Sequence, residues 1–471
     1  MFSTVAKRFY DLSPAMLQTL MVNAYAVNVH LERYGSRFRD IKEKLNQTQY
    51  YDRVEIEQFQ DLQLRALIKH AYETTPYYRE VFDKLSLKPS DIEGRKDLHK
   101  IPILTREDVR HNLHRLISRT VRIKDLVHGH TSGTTGSPLE FYWDINTCVY
   151  SNAVDWRQKE WAGVRYRDPL ALLLGRTVVP PGTTDPPFWR MNYLHNQLWL
   201  SSFHLKPDYM RHYMKKLDRF QPVAIEGYPS TVYILAQMYL LNNMTFPLKA
   251  VFTSSETLYP VQREVIEKAF ECKVFDFYGM AERVLFATEC SAHRGRHLNF
   301  EFGLTEAVDK HGLPVEDGRL GTIVSTSLQN FGMPLIRYKT SDVTRISREI
   351  CSCGRQMPLV DDVTTKAEDI VVAPDGRMIS PSILTHPFKS VGTIAKSQIL
   401  QHDLENITIK IVKREGYSEL DTVNLLRGFS ERVGHQVKVH IEFVDDIPRT
   451  SSGKFRWVIS KVPLRFDLAG P

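Results

Sequence analysis

The stretch LKAVFTSSETLYPVQREVIEKAF, residues 248–270, changes its hydrophobic period part-way along. Residues up to Thr253 form a short apolar run of the length expected for a buried strand, SSETLY is polar, and a helix opens near Pro260 with Val261, Val265, Ile266 and Phe270 on its inner face. PVAIEGYPSTVYILAQMYLL (222–241) repeats the order of strand, Gly/Pro turn and helix. DPLALLLG (168–175) and KVFDFYG (273–279) read as further strands. Such alternation predicts an α/β fold, with mainly parallel sheets covered by helices. Ligands of such sheets sit beyond the carboxyl ends of the strands, where SSET and YGMAE fall.

Upstream, residues 55–83 read as helical, with Leu62, Leu64, Leu67, Ile68 and Ala71 at helical spacing. A polar connector, Leu87 to Lys96, leads to IPILTREDV, where Thr105 and Asp108 form a helix N-cap pair. Ala15–Val29 holds Met16, Leu20, Val22, Ala26 and Val27 on one broad helix face. That face is expected to pack on the domain, with peripheral membrane contact as the alternative. Downstream of residue 362 the texture becomes charged and turn-rich, then gives an alternating strand pair, a helix at Glu419–Val433 and the strand VKVHIEFV. The expected organisation is a large domain over residues 1–362, whose first 120 residues are mainly helical, and a small mobile α+β domain over 363–471.

The 471 residues are 42% hydrophobic and 25% charged, ordinary globular values that exclude a fibrous or disordered chain. The net charge of +7 suits an anionic small molecule, and no basic cluster with interleaved aromatics argues for nucleic acid. No apolar run approaches the ~20 residues of a membrane span, and Ala15–Val29 lacks a signal-peptide cleavage pattern. Five cysteines are too few for a disulfide framework, so a reducing cytoplasm is the expected compartment. Cys148 and Cys272 read as isolated buried thiols.

HTSGTTGSP (130–138) concentrates hydroxyls and glycines. Alone it reads as a turn, and without a Lys after Gly136 it is not the loop of P-loop NTPases. Four later segments change that reading: SSETLYP (254–260), YGMAE (278–282), MPLIRYKTSD (333–342) and PRTSSGKFR (448–456). In this order they resemble the adenylate-forming superfamily of acyl- and aryl-CoA ligases. LRALIKHAYETTPYYREVFDKLSLKPSDI with IPILTREDVR resembles phenylacetate–CoA ligase-like proteins. MLQTLMVNAYAVNVHLERYG and EGYPSTVYILA resemble the CapK-like branch of capsular-polysaccharide proteins.

The resemblance implies roles. Thr131, Ser132, Gly133, Thr134, Thr135 and Gly136 would cradle the β- and γ-phosphates of ATP. Tyr278, with Gly279 beside it, would stack on adenine, and Ser255, Glu256 and Thr257 would line its pocket. Asp342 would accept the ribose hydroxyls, and Glu282 would bind Mg²⁺. Lys454, on the mobile domain, would bring its charge to the α-phosphate and the reacting carboxylate. Tyr228 and Ser254 are candidates for the acid's pocket, with core packing the alternative for Tyr228. The usual Gly-Arg-x-Asp-Asp hinge is replaced by Thr365-Lys366-Ala367-Glu368-Asp369. Lys366 keeps a positive charge but not a bidentate fork. Thioester formation is therefore less secure than adenylation.

Cys290, His297, Cys351 and Cys353 form a C-x6-H…C-x-C set suited to a closed structural Zn²⁺ site, with His293 as competing fourth ligand and reduced buried thiols as the alternative. The implied activity is ATP-dependent activation of a carboxylic acid, with CoA as acceptor. An amine acceptor in polysaccharide assembly and a non-catalytic nucleotide-binding protein are the alternatives. A homodimer is a family expectation.

Overall fold

The computed structural model describes residues 4–131, 139–180, 182–361, 370–379, 381–389, 391–447 and 457–462. Five strands, Gln197–Leu200, Leu170–Leu173, Ala224–Gly227, Ala250–Ser254 and Lys273–Gly279, lie side by side in that order and are all parallel. Helices Pro229–Leu241 and Pro260–Phe270 provide the expected crossovers, each with Pro in its first turn. The expected parallel strands form the middle of a mixed sheet: Trp189–Asn192 adds antiparallel at one end and six antiparallel strands continue from Phe286–Glu289 at the other. The antiparallel strands escape a strand–helix–strand reading because they are joined without crossover helices.

The helical reading of 55–83 resolves into two helices, Arg53–Thr74 and Pro76–Lys84. Pro76 has no N–H to continue the first and starts the second. Leu64, Leu67, Ile68 and Ala71 are buried, whereas Leu62 faces solvent. The C-terminal unit has the expected hairpin, Ile394–Gln401 with Asn406–Lys413, flanked by parallel strands Lys438–Phe443 and Val458–Ser460. Helix Glu419–Val433 opens at a Ser418/Asp421 capping box and buries Leu425, Phe429 and Val433.

Helix Ala15–Arg33 departs from expectation. Gln18, Val22 and Ala26 are its buried residues, while Met16, Leu20 and Val27 are exposed. Polar chemistry sets this orientation. Arg190 Nε donates to Gln18 Oε1 at 2.9 Å, and Gln18 Nε2 donates to the Tyr10 carbonyl at 2.9 Å. Asn23 donates to the Met191 carbonyl and accepts from the Tyr193 N–H, both at 2.8 Å, as a neighbouring strand would.

Helix Ile145–Trp161 is held by a buried ion pair. Arg157 meets Glu301 through two bonds of 2.8 and 3.0 Å, with both side chains at 0% exposure. Arg157 also donates to the Leu45 carbonyl and to Asn299, and Thr48 donates to Glu301. Removing one partner strands the other charge, so Arg157→Met is expected to cost about 3–5 kcal/mol of stability. The double change Arg157→Met/Glu301→Leu should recover part of that loss in denaturant unfolding; an unchanged midpoint for Arg157→Met would refute the pair's role.

His204 is buried, stacked on Phe188 and 2.8 Å from Ser201 Oγ. Burial, then the nearby Lys206, Arg377 and Arg190, bring it down to about 4 from 6.5. The folded state therefore binds fewer protons than the unfolded one between these values, and stability falls as pH drops through that window. His204→Gln should show a shallower loss than the parent between about pH 6.5 and 4 in urea titrations.

Candidate functional site

Arg106 links the start of the Ser/Thr/Gly loop to the segment just beyond the strand Lys273–Gly279. Thr131 closes one side of the Ser/Thr/Gly loop: its N–H donates to the Leu139 carbonyl at 2.9 Å, and its Oγ1 accepts from the Leu139 N–H at 3.0 Å. Arg106 Nη2 donates to the same Oγ1 at 2.8 Å. Ser132, Gly133, Thr134, Thr135 and Gly136 lie outside the described residues, as do Lys366 and Lys454.

Arg106 also reaches Glu282, with 3.9 Å between Nη1 and Oε1. The buried Glu282 carboxylate accepts from Tyr338 Oη at 2.8 Å. One guanidinium thus touches the start of the candidate phosphate loop and the candidate Mg²⁺ ligand. Sequence reasoning missed Arg106 because in ILTREDV it took the capping pair Thr105/Asp108 as the message and the intervening arginine as surface. That cap is present and starts the helix on which Arg106 stands.

Tyr278 and Asp342, 64 residues apart, are brought together by a 2.5 Å bond from the phenol to Oδ2. Burial, then the Asp342 charge and this bond, hold the Tyr278 phenol well above its ordinary range, so it remains a donor. At Gly279 an added Cβ would come no nearer than 3.9 Å to neighbouring atoms, leaving room beside the strand end. Ser255, in the next loop, has a φ of +69°, a strained value for a residue with a side chain. Its Oγ lies 3.4 Å from that of Ser254. The Glu256 carboxylate is held on Ser230, by the N–H at 3.0 Å and Oγ at 3.1 Å, at the start of helix Pro229–Leu241.

Tyr228 precedes that helix. Its ring lies over Gly175, where a Cβ would approach to 2.6 Å, and it packs on the apolar core of the C-terminal unit. Burial and the Glu256 charge push its phenol up to about 12.

Cys290, His297, Cys351 and Cys353 converge, with one ligand atom from each lying within 4.8 Å of all the others. Cys290 and Cys351 sulfurs are 3.8 Å apart, and Cys353 Sγ is 3.4 Å from His297 Nε2. Tetrahedral Zn²⁺ with bonds of about 2.0–2.3 Å places its ligand atoms about 3.5–3.8 Å apart, so the donor set fits. His297 Nδ1 faces the Met357 carbonyl at 3.3 Å, which leaves Nε2 for a metal. Burial alone would raise the Cys353 thiol, but hydrogen bonds from His297 and Arg355 bring it down to about 5. His293 is not part of the cluster; it packs on Phe275 and faces Glu289.

The chain as a whole is similar to known proteins. Residues 371–461 match the family model described as the CapK C-terminal domain. Protein CapK of Staphylococcus aureus is 26% identical, covering 96% of this chain and 99% of that protein. The chain is a homologue of CapK and of the phenylacetate–coenzyme A ligases. The phenylacetate–coenzyme A ligase of Thermus thermophilus is 23% identical over 86% of this chain and 97% of its own, and that of Escherichia coli 24% over 88% and 95%. The fold is that of 2-hydroxyisobutyryl-CoA ligase, solved with 2-HIB-AMP and CoA: TM-score 0.58, 21% identity, 88% of this chain and 91% of that one covered. Two of these relatives are thus named as coenzyme A ligases. Among the described residues, no helix is long and apolar enough to cross a membrane.

Purified protein is expected to carry about one metal ion per chain at the four-ligand centre. Cys351→Ser should lower the bound metal measured by elemental analysis and reduce Tm; full metal content in this variant would contradict the assignment.

Proposed function

We propose that this protein activates a carboxylic acid with ATP through an acyl-adenylate and passes the acyl group to CoA. The observation that carries the reading is Arg106, which joins Thr131 of the phosphate-loop motif to Glu282, three residues beyond the strand Lys273–Gly279 that carries Tyr278.

A carboxylate is a weak electrophile, and its attack on the α-phosphate needs positioning and charge stabilisation more than acid–base chemistry. Thr131 and the loop it anchors would bind the β- and γ-phosphates, with Ser132, Gly133, Thr134, Thr135 and Gly136 supplying amides and hydroxyls. Asp342 would hold the ribose, with Oδ2 fixed by Tyr278. Glu282 would bind Mg²⁺, which screens the phosphate charge when present. Arg106 would keep Glu282 aligned. Lys454 would neutralise charge at the reacting carboxylate. Cys290, His297, Cys351 and Cys353 would hold Zn²⁺ as a clip between the segments that follow YGMAE and precede residue 362, with no position open for chemistry. The small domain over 363–471 would move between half-reactions about Lys366 and its neighbours, and a cytoplasmic location suits reduced thiols at the clip.

A second reading keeps the same adenylation and passes the acyl group to a sugar amine or other amine. The altered hinge sequence, Thr365 to Asp369, favours this reading for the second half-reaction.

Acid-dependent ATP–pyrophosphate exchange tests the first step, using a panel of aryl, fatty and amino acids. One acid class should support exchange, and Lys454→Ala and Glu282→Gln should each lower it by about 10²–10³-fold. Adding CoA or amines to the active acid then identifies the acceptor. ATP binding without exchange for any acid would count for a nucleotide-binding protein.

A further inference from the structure

Arg283, the residue after Glu282, is half-buried and has a φ of +54°, a strained value for a residue with a side chain. The two neighbours diverge. Glu282 faces Tyr338 and Arg106, whereas Arg283 faces helix Ile145–Trp161. Its guanidinium carbon lies 4.4 Å from the centre of the Trp143 ring, and Nη1 donates to Ser151 Oγ at 3.0 Å. The Ser151 hydroxyl itself donates to the Thr147 carbonyl at 2.9 Å, so a lone pair is left for the arginine. Ring and hydroxyl hold the guanidinium plane and occupy one of its N–H groups.

Among the described residues no carboxylate lies within ion-pair distance of Arg283. The acids nearby in sequence are engaged elsewhere. Asp144 accepts from the Thr147, Phe331 and Gly332 N–H groups, Asp155 accepts from Lys159 at 2.5 Å, and Glu32 accepts from Asn28. A second cation stands close instead: Arg33, whose Nε is buried without a hydrogen-bond partner. Burial chiefly pulls the Arg283 pKa below the ordinary arginine range; Cys148 opposes this and the Arg33 charge adds to it. A guanidinium partly withdrawn from water beside a like charge is destabilising until an anion joins it.

We propose that Arg283, with Arg33 beside it, holds a second carboxylate of the substrate acid, so that the protein selects a dicarboxylic acid. This rests on the acid activation proposed above. The planar fork matches a carboxylate through two parallel bonds. The ATP phosphates have their candidate partners, Thr131, Arg106 and Glu282, on the side from which Arg283 turns away. The reacting carboxylate belongs at the α-phosphate, and two charge-assisted bonds to it would weaken it as a nucleophile. The carboxylate suited to Arg283 is the one that does not react.

The test is calorimetric binding of succinate, glutarate, adipate, isophthalate and terephthalate to the full chain, each against its monomethyl ester, with α,β-methylene-ATP and Mg²⁺ present. At least one diacid should bind about tenfold or more tightly than its ester. Arg283→Gln should remove that preference, Arg283→Lys should restore part of it, and Arg33→Gln should reduce it. Circular dichroism and Tm check that each variant folds. Equal loss of diacid and ester binding in Arg283→Gln would mean a packing role and overturn the proposal. So would a parent protein with no diacid preference, or a variant that loses ATP affinity and keeps the preference. The two readings fail separately. Pyrophosphate exchange with a monocarboxylic acid and no diacid preference leaves adenylation standing and removes this site; an Arg283-dependent preference without exchange does the reverse.

Discussion

The buried Arg157–Glu301 pair is the constraint on which the large domain's geometry depends. Helix Ile145–Trp161 follows directly from the phosphate-loop motif and its strand Glu140–Trp143. Near the other end of that helix, Arg157 is locked to Glu301, beside the antiparallel flank, and to helix Ser36–Thr48. The position of that helix relative to the antiparallel flank is therefore set by a charge pair that has no water to fall back on. Such a pair contributes little net stability compared with an apolar replacement, but it penalises any other register heavily.

Much of the fold was legible in period changes. The crossovers around Gly227 and Ser254 and the helix Glu419–Val433 follow from runs in which local preference and tertiary burial agree. The legible parts of the site were those with marked residue order: Tyr278 and Asp342 do meet, and the four metal-ligand candidates converge. What was not legible required knowing which side chain faces which neighbour. Arg106 was hidden by a capping motif on its own helix. That the Glu256 carboxylate is held by Ser230, at the helix start after the neighbouring strand, could not be read from SSET. Gln18 and Asn23 lowered the apolar appearance of a segment that they in fact orient.

The site is divided between elements of different character. Glu282 and Tyr338 are buried and mutually bonded, whereas the expected lysine and hinge residues belong to the C-terminal unit, whose core takes in Phe203 and touches Tyr228. Tyr228 also borders the loop held by Glu256 through Ser230.

Asn23 has a consequence beyond holding a helix. Trp189–Asn192 is the last strand of the twelve, and its outer backbone groups would otherwise be open to pairing with another chain. The Asn23 carboxamide occupies the Met191 carbonyl and the Tyr193 N–H, so the helix acts as a blunt end for the sheet. If the helix leaves its seat, an adhesive strand edge is uncovered. Selection against aggregation therefore keeps the helix seated.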